Sequence, residues 1–283
     1  MCEWKGIDLP SWEAFENQVS WLRKKREGAQ NASPVLNLLF RGDMNPKRNL
    51  ETSLEREYQQ PVTLDEYFKR ITIHPEIESV TGTRWEKMPD FYPGCLEWIE
   101  KLGDKPKSRV GPPPGYNYLA YLRHHESPSP FLDWTRSPYI AAYFAFAEAK
   151  ADAEHVSIYA YWEVTGNKMD SCSNKPLIVS LGPHVHTHRR HFQQQSEYTF
   201  CIVKNNGIWQ FAPHDDKVLM RCDGMTEPEL DVCLSQGSQD LAWKFNIPAS
   251  EKNKVLKYLD DRNINGFSLL GTEEGAHEDI GRT

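Results

Sequence analysis

Two stretches of this sequence carry side chains that could bind an anion. Arg41 and Gly42 follow a short apolar run. An arginine presents a fixed set of donors that suits a carboxylate or a phosphate, and a glycine allows close approach of a ligand. Further along, Asp133-Trp134-Thr135 precedes Ser137 and Pro138, which are typical of a helix N-cap and first helical residue. The positive end of that helix would face an acid, an indole and two hydroxyl groups, a setting that suits an anionic ligand.

Structural roles for the same residues remain open. Asp133 and Thr135 are also suited to capping the helix, and Trp134 to filling the core. Arg41 could form a structural ion pair with Asp43 or Asp133, because such networks also bury charges. Residue types alone therefore do not separate an anion site from a helix cap and an ion pair.

A basic cluster raises the question of metal. Four histidines fall within eight residues, at positions 184, 186, 188 and 191. Alternate histidines of a strand share one face, as several metal sites require. No acid or cysteine nearby completes a ligand set, however, and Arg189 and Arg190 would repel a divalent cation. We predict no metal here; the cluster lines a phosphate-binding cleft or faces solvent.

Other catalytic signatures are missing from the sequence. It contains no GxSxG, Walker A, GxGxxG or HExxH pattern. The protein therefore does not belong to the commonest classes of α/β-hydrolase, P-loop NTPase, Rossmann dinucleotide-binding protein or zinc protease. The six cysteines form no CxxC pair, so reduced structural thiols are expected. A cysteine nucleophile acting with His124 or His125 stays conceivable, although no cysteine has an obvious activating neighbour in sequence.

Composition limits the class of protein. The 283 residues are enough for a large core, and the net charge of -7 argues against a scaffold that holds nucleic acid on a basic face. No apolar run approaches a membrane span, and the first residues do not resemble a signal peptide. We expect a cytoplasmic protein without membrane association.

The periodicity predicts the elements that position these residues. Apolar residues at helical spacing indicate an amphipathic helix over 10–27, interrupted helices over 57–121 and a buried helix after Pro138 in which alanines let a sheet approach. Strands are predicted at 35–40, 156–164, 176–180 and 198–203, and a further short strand ends at Asp133-Trp134-Thr135. A late helix is predicted after WKFNIP. We expect one domain spanning 1–283, with a core at 28–56 and 122–270, a helical insertion at 57–121 and a mobile tail at 271–283.

The ordered motifs resemble a known family. Phe40-Arg41-Gly42 after a strand, the block LRHHESPSPFLDWTRSPYIAAYFA at 122–145, then Arg190 with Gln194, then KFNIP and a closing helix are similar to the FRG domain family, named for Phe-Arg-Gly. The similarity runs from about residue 36 to 270. Arg123 stands where the family usually has Gln, and Ser196 where it usually has Gly, which affects the loop walls rather than the fold.

The same order of motifs resembles mono-ADP-ribosyltransferases. It implies an α+β fold with a split, mainly antiparallel sheet whose cleft binds NAD. In that family the arginine holds a phosphate or ribose, the hydroxyl-bearing strand end supports the nicotinamide, and the glutamate of Gln-x-Glu contacts the ribose, where a carboxylate stabilises the developing cation. The implied NAD-binding residues are Arg41, Gly42, His124, Asp133, Trp134, Thr135, Ser137 and Arg190. The implied catalytic candidates are Glu197, Gln195 and Gln194.

The resemblance leads to two hypotheses about function. The first is an NAD-consuming enzyme, either an ADP-ribosyltransferase or an NAD glycohydrolase. Such an enzyme would act as an intracellular toxin or phage-defence effector on an unidentified macromolecular acceptor. An antitoxin or regulator would be a further partner. The second is a non-catalytic module that binds a nucleotide or a protein in the same cleft. The enzyme hypothesis requires that Arg41, Thr135 and Glu197 line one cleft.

Overall fold

A computed structural model describes residues 4–29, 37–71, 75–85, 91–104, 112–125, 127–164, 175–182, 185, 187, 189–236 and 239–271. The strands in these ranges are β1 (Ile7–Asp8), β2 (Asn37–Asp43), β3 (Leu132–Thr135), β4 (His155–Glu163), β5 (Leu177–Ser180), β6 (Ser196–Asn205), β7 (Ile208–Phe211), β8 (Leu219–Arg221) and β9 (Asp240–Pro248). The helices are α1 (Trp12–Ala29), α2 (Ser53–Tyr58), α3 (Leu64–Arg70), α4 (Pro75–Thr81), α5 (Phe91–Asp104), α6 (Tyr116–His124), α7 (Pro138–Ala147), α8 (Arg189–Gln193), α9 (Glu227–Gln236), α10 (Lys252–Asp260) and α11 (Gly266–Leu270).

The strands form one open, mixed sheet. Its order is β1-β9-β4-β2-β3-β6-β5, with β7 beside β6 and β8 beside β9. β1 and β8 run parallel to β9, and the other neighbours pair antiparallel. The fold is therefore α+β with a mostly antiparallel sheet, as the sequence predicts at this level.

Three apolar clusters join the helices to the sheet. Helices α1, α7 and α10 cover the half formed by β9, β4 and β2, and helices α3, α5 and α6 cover β5 and β6 in the other half. The third cluster lies on the opposite side of the strands, where the rings of Trp134 and Tyr161 stack with centroids 5.2 Å apart. Because strand side chains alternate between faces, the helices cover one face while the aromatic cluster joins both halves on the other.

Most predicted elements are present. The amphipathic helix at 10–27 is α1, which buries Trp12, Phe15, Val19 and Leu22 almost completely. Helices α3, α5 and α6, which fall within the predicted helical insertion, pack against β5 and β6. Strands β1, β7, β8 and β9 and helices α8, α9 and α11 were not predicted from the sequence.

Two sequence predictions fall on residues outside the described ranges. The mobile tail predicted at 271–283 lies outside them except for Gly271, as do His184, His186 and His188 of the histidine cluster. Among the residues that are described, no group of three or more His, Cys, Asp or Glu side chains could hold a metal ion. None of the described helices has the length and apolar character needed to cross a membrane.

Candidate functional site

A cleft opens where two central strands separate. β2 pairs with β4 through seven residues, from Asn37 to Asp43, but with β3 only through Phe40 opposite Thr135. Beyond that pair the strands part, and the cleft beside them encloses about 430 Å³, a typical size for a small-molecule site. It is lined by Phe40, Arg41, Gly42, Asp43, Met44, Arg48, Arg123, His124, Asp133, Trp134, Thr135, Ala141, Phe144, Glu148, Gln194, Ser196 and Tyr198.

Arg41 occupies the gap between the two strands. Its Nη1 donates to the backbone oxygen of Asp133 at 2.9 Å and lies 3.8 Å from Asp133 Oδ2. Burial lowers the pKa of Arg41, and the charge of Asp133 acts in the opposite direction. Because an arginine stays protonated even when its pKa falls somewhat, this side chain is a largely buried cation at the edge of the cleft.

A second arginine holds the same carboxylate. Arg123 on α6 donates from Nε to Asp133 Oδ1 at 3.1 Å, and its Nη2 pairs with Oδ2. The charge of Asp133 is the main cause of a raised pKa at Arg123. Nearby, Arg48 Nη1 lies 3.6 Å from Asp43 Oδ2. Two guanidinium groups therefore share the carboxylate of Asp133, while the cleft as a whole is lined by three arginines and three carboxylates, of which Glu148 is the third.

Helix α7 forms one wall of the cleft at unusually close range. A Cβ built on Gly42 would lie 1.9 Å from the backbone oxygen of Ala141 and 2.8 Å from the nitrogen of Ala145. Only glycine in β2 and small residues in α7 permit this contact. The helix begins as predicted, with Pro138 in its first turn and the Ser137 hydroxyl accepting from the amide of Ile140 at 3.3 Å.

Thr135 ties three segments together at the floor of the cleft. Its hydroxyl donates to the backbone oxygen of Gln194 at 2.7 Å and accepts from the amide of Ser137 at 3.2 Å. The hydroxyl thus joins the end of β3 to the start of α7 and to the loop before β6. Thr135 also lines the cleft, so its structural role and its position in the site are compatible.

Comparison with known protein families matches residues 36–154 to the FRG domain. The chain carries an FRG domain. No curated protein and no solved structure gives a match. The match begins where the sequence motifs begin, but it ends after α7 rather than near residue 270.

The FRG domain match covers one side of the cleft. It includes β2, α6, β3 and α7, and so both arginines that hold Asp133. Gln194, Ser196 and Tyr198 lie outside the matched residues but line the cleft with it. The site therefore combines the FRG domain with the first residues of β6.

Most of the residues predicted to bind a ligand line the cleft between β2 and β3. They are Arg41, Gly42, His124, Asp133, Trp134, Thr135 and Gln194. Ser137 caps α7 just outside the lining. Arg190 instead donates from Nε to the backbone oxygen of Leu270 at 2.9 Å, and Gln195 is an exposed residue with φ of +48°.

Glu197 is placed differently from Arg41 and Thr135. It is 2% exposed and does not line the cleft, and its Oε1 lies 3.7 Å from Nε of Arg136. On β6, Ser196 and Tyr198 face the cleft. The alternation of strand side chains places Glu197 on the other face of the sheet, the face of Arg41 and of Trp134 opposite it. β3 and β6 stay paired from Leu132 to Thr135, so no gap opens beside Glu197 like the one that Arg41 occupies. The expected convergence thus holds for Arg41 and Thr135 but not for Glu197.

Several cleft residues were not predicted from the sequence. Arg123, Arg48 and Tyr198 are the most important of them. The sequence contains one indication of a special role for Arg123, because an arginine stands there in place of the glutamine that the FRG family usually has. The pairing of Arg123 with Asp133 depends on how α6 packs over β3, which local sequence does not show.

None of the cysteines in the described part of the chain is placed to act as a nucleophile in the cleft. Cys95, Cys201, Cys222 and Cys233 do not line the cleft. Burial raises the pKa of Cys95 and of Cys222 to about 12, and that of Cys201 well above its usual value. These buried thiols stay protonated and suit structural roles.

Proposed function

We propose that the cleft binds NAD and that the protein breaks the bond between nicotinamide and ribose, transferring ADP-ribose to water or to a macromolecular acceptor. The observation that carries the proposal is the pair of arginines around Asp133. A diphosphate needs cationic donors of fixed geometry, and Arg41 and Arg123 supply them in the lining of a cleft of about 430 Å³.

The other walls of the cleft suit the remaining parts of a dinucleotide. Phe144 on α7 offers an aromatic ring, while Gln194 and Ser196 offer polar groups on the opposite side. The resemblance of the motif order to mono-ADP-ribosyltransferases supports the choice of NAD among nucleotides. An intracellular toxin or defence effector, with an antitoxin as its regulator, stays part of this proposal.

The test compares Arg41→Ala with Arg56→Ala. Arg56 is an exposed arginine of α2 outside the cleft, where it donates to the backbone oxygen of Glu51 at 2.9 Å. Calorimetric titration with NAD and an assay for nicotinamide release are run on both variants and the wild type. We expect Arg41→Ala to weaken NAD binding at least about tenfold, or roughly 1.4 kcal/mol, while Arg56→Ala binds like the wild type. Equal affinity in all three proteins would place the ligand elsewhere.

The catalytic role predicted for Glu197 is tested in the same assay. If its carboxylate stabilises the ribosyl cation, Glu197→Gln lowers turnover about 10²-fold and changes NAD affinity far less. Unchanged turnover would leave Glu197 as the buried partner of Arg136.

A second function, a module that binds a nucleotide without catalysis, is favoured by one observation. Glu197 does not line the cleft, and two of the three carboxylates that do, Asp43 and Asp133, each lie within 4 Å of an arginine. Binding of NAD without any nicotinamide release, in the presence and absence of acceptor proteins, would support this alternative.

A further inference from the structure

A chain of three polar side chains runs from the cleft into the core. Nε2 of His124 lies 3.0 Å from the hydroxyl oxygen of Tyr198, and that oxygen lies 3.3 Å from Nδ1 of His191. His124 and Tyr198 line the cleft, whereas His191 on α8 is 1% exposed. The chain therefore connects a group that can touch a ligand to an imidazole that solvent does not reach.

The phenol at the middle of the chain couples the two histidines. Burial is the main cause of a raised pKa at Tyr198, and the charge of Asp133 adds to it, so the phenol stays protonated. A phenol has one proton, which it donates to one imidazole nitrogen, and its oxygen can accept from the other. When Tyr198 donates to His191, Nε2 of His124 carries a proton and donates to Tyr198. This arrangement leaves the basic lone pair of His124 on Nδ1.

We propose that His124 is the general base of the cleft and that Tyr198, held by His191, fixes its tautomer. The inference rests on the proposed cleavage of NAD. When the glycosidic bond breaks, its electron pair goes to the ring nitrogen of nicotinamide. The oxygen of water or of an acceptor hydroxyl then forms a bond to the anomeric carbon, and the proton that it loses passes to Nδ1 of His124 and later to solvent.

The position of the chain suits this role. Tyr198 pairs directly with Asp133 across β6 and β3, so the chain lies beside the arginines assigned to the diphosphate. The ring of Tyr198 is fixed by stacking on Phe131, with centroids 5.4 Å apart, and on His191, with centroids 5.5 Å apart. A side chain held this firmly can orient the imidazole that it contacts.

Charged groups surround the chain on the neighbouring elements. On the cleft side they are Asp133 of β3, Arg123 of α6 and Arg41 of β2, and on the other side they are Arg189 and Arg190 of α8. Asp43, Arg48 and Glu148 also line the cleft, so the charge that develops on His124 faces both carboxylates and guanidinium groups. A pH profile has to be compared between matched variants, because all of these groups contribute to the field.

The chain offers a matched control. His125 is the next residue, is exposed, and contacts the ring of Tyr121 at a centroid distance of 4.2 Å. His124→Gln keeps a polar atom near the position of Nε2 but cannot accept the proton, and His125→Gln makes the same change outside the cleft. Tyr198→Phe keeps the stacked ring and removes only the hydroxyl.

Kinetics and binding form the first measurement. Wild-type nicotinamide release should rise with pH as His124 loses its proton. We expect His124→Gln to lower turnover about 10²-fold and to remove that rise, with NAD affinity nearly unchanged. Tyr198→Phe should lower turnover about tenfold, and His125→Gln should match the wild type. Wild-type turnover and pH profile in His124→Gln would overturn the inference while leaving the proposed function intact.

Nitrogen NMR of the histidine side chains is the second measurement, and it does not depend on activity. We expect neutral His124 to carry its proton on Nε2 in the wild type, and this preference to be lost in Tyr198→Phe. A tautomer that is Nδ1-protonated, or unchanged by the substitution, overturns the coupling. A wild type that binds NAD without releasing nicotinamide overturns both the proposed reaction and the role of His124 in it.

Discussion

At the scale of single residues, the cleft depends on one carboxylate shared by two cations. Asp133 receives two donors from Arg123 and lies 3.8 Å from Nη1 of Arg41. The two arginine side chains are 18% and 23% exposed. Removing the carboxylate charge leaves two partly buried like charges facing each other. From the sequence, Asp133 is one of two possible ion-pair partners of Arg41. The structure confirms this pair and adds Arg123 as the main partner of Asp133.

Asp133→Asn should therefore destabilise the protein by about 1–2 kcal/mol, because a charged hydrogen-bond acceptor is lost. The matched control is Asp65→Asn on α3, whose carboxylate forms an exposed ion pair with Lys69. Loss of such a pair should cost no more than about 0.5 kcal/mol. Chemical denaturation of both variants measures the difference, and equal stabilities would show that the Arg123–Asp133 pair contributes little.

At the scale of elements, the site is built by the contact between β2 and α7. Gly42 leaves no space for a Cβ against Ala141 and Ala145, and the residues before and after it, Arg41 and Asp43, both line the cleft. Movement of α7 away from β2 would displace Phe144 and the arginine together. The close approach thus fixes the width of the cleft as well as the stability of the fold.

Gly42→Ala should destabilise the protein by about 3 kcal/mol or more, because backbone atoms on both sides must shift. Gly28→Ala is the control, since Gly28 lies in α1 with no atom within 4 Å of a built Cβ. That change should be neutral or stabilise the helix by up to about 1 kcal/mol. Thermal unfolding of the two variants is the measurement. A small effect at Gly42 would mean that α7 moves easily, contrary to the packing described above.

At the scale of the whole molecule, a buried histidine links stability to pH. His214 is 5% exposed, and its Nε2 lies 3.0 Å from the hydroxyl of Thr199, which in turn accepts from Nε1 of Trp134 at 2.8 Å. Burial is the main cause that lowers the pKa of His214 to about 3, and the charge of Arg41 adds to it. The folded protein therefore keeps His214 neutral at pH values where the unfolded chain would protonate it.

The sign of the effect follows from proton binding. Below the unfolded pKa of about 6.5 the unfolded state binds one more proton than the folded state. The free energy of unfolding should therefore fall as pH drops from about 6.5 towards 3, by up to about 1.4 kcal/mol per pH unit from this group. His214→Gln should reduce that slope by about one proton, whereas His155→Gln, at the half-buried first residue of β4, should keep it. Denaturation midpoints between pH 4 and 7 measure both slopes, and equal slopes in wild type and His214→Gln would refute the linkage.

The sequence by itself determined the order and type of the main elements, because their apolar periodicity and capping signals are local. It placed Arg41 on β2, Thr135 at the end of β3 and the start of α7 at Pro138, and the structure confirms all three. It also indicated the α+β class and the FRG domain. Short elements such as β1 and β8, which pair in parallel with the distant strand β9, carry no comparable signal.

Only the tertiary structure decided which side chains meet in the cleft. The direction of Glu197 depends on the phase of β6, which is set by the turn at Gln195, where φ is +48°. A shift of one residue in that turn would exchange the faces of Glu197 and Tyr198. Arg123 binds Asp133 because α6 packs against β3. Likewise, Tyr198 contacts two histidines because α6 and α8 pack against β6. These contacts join residues from separate elements, and long-range packing rather than local pattern selects them.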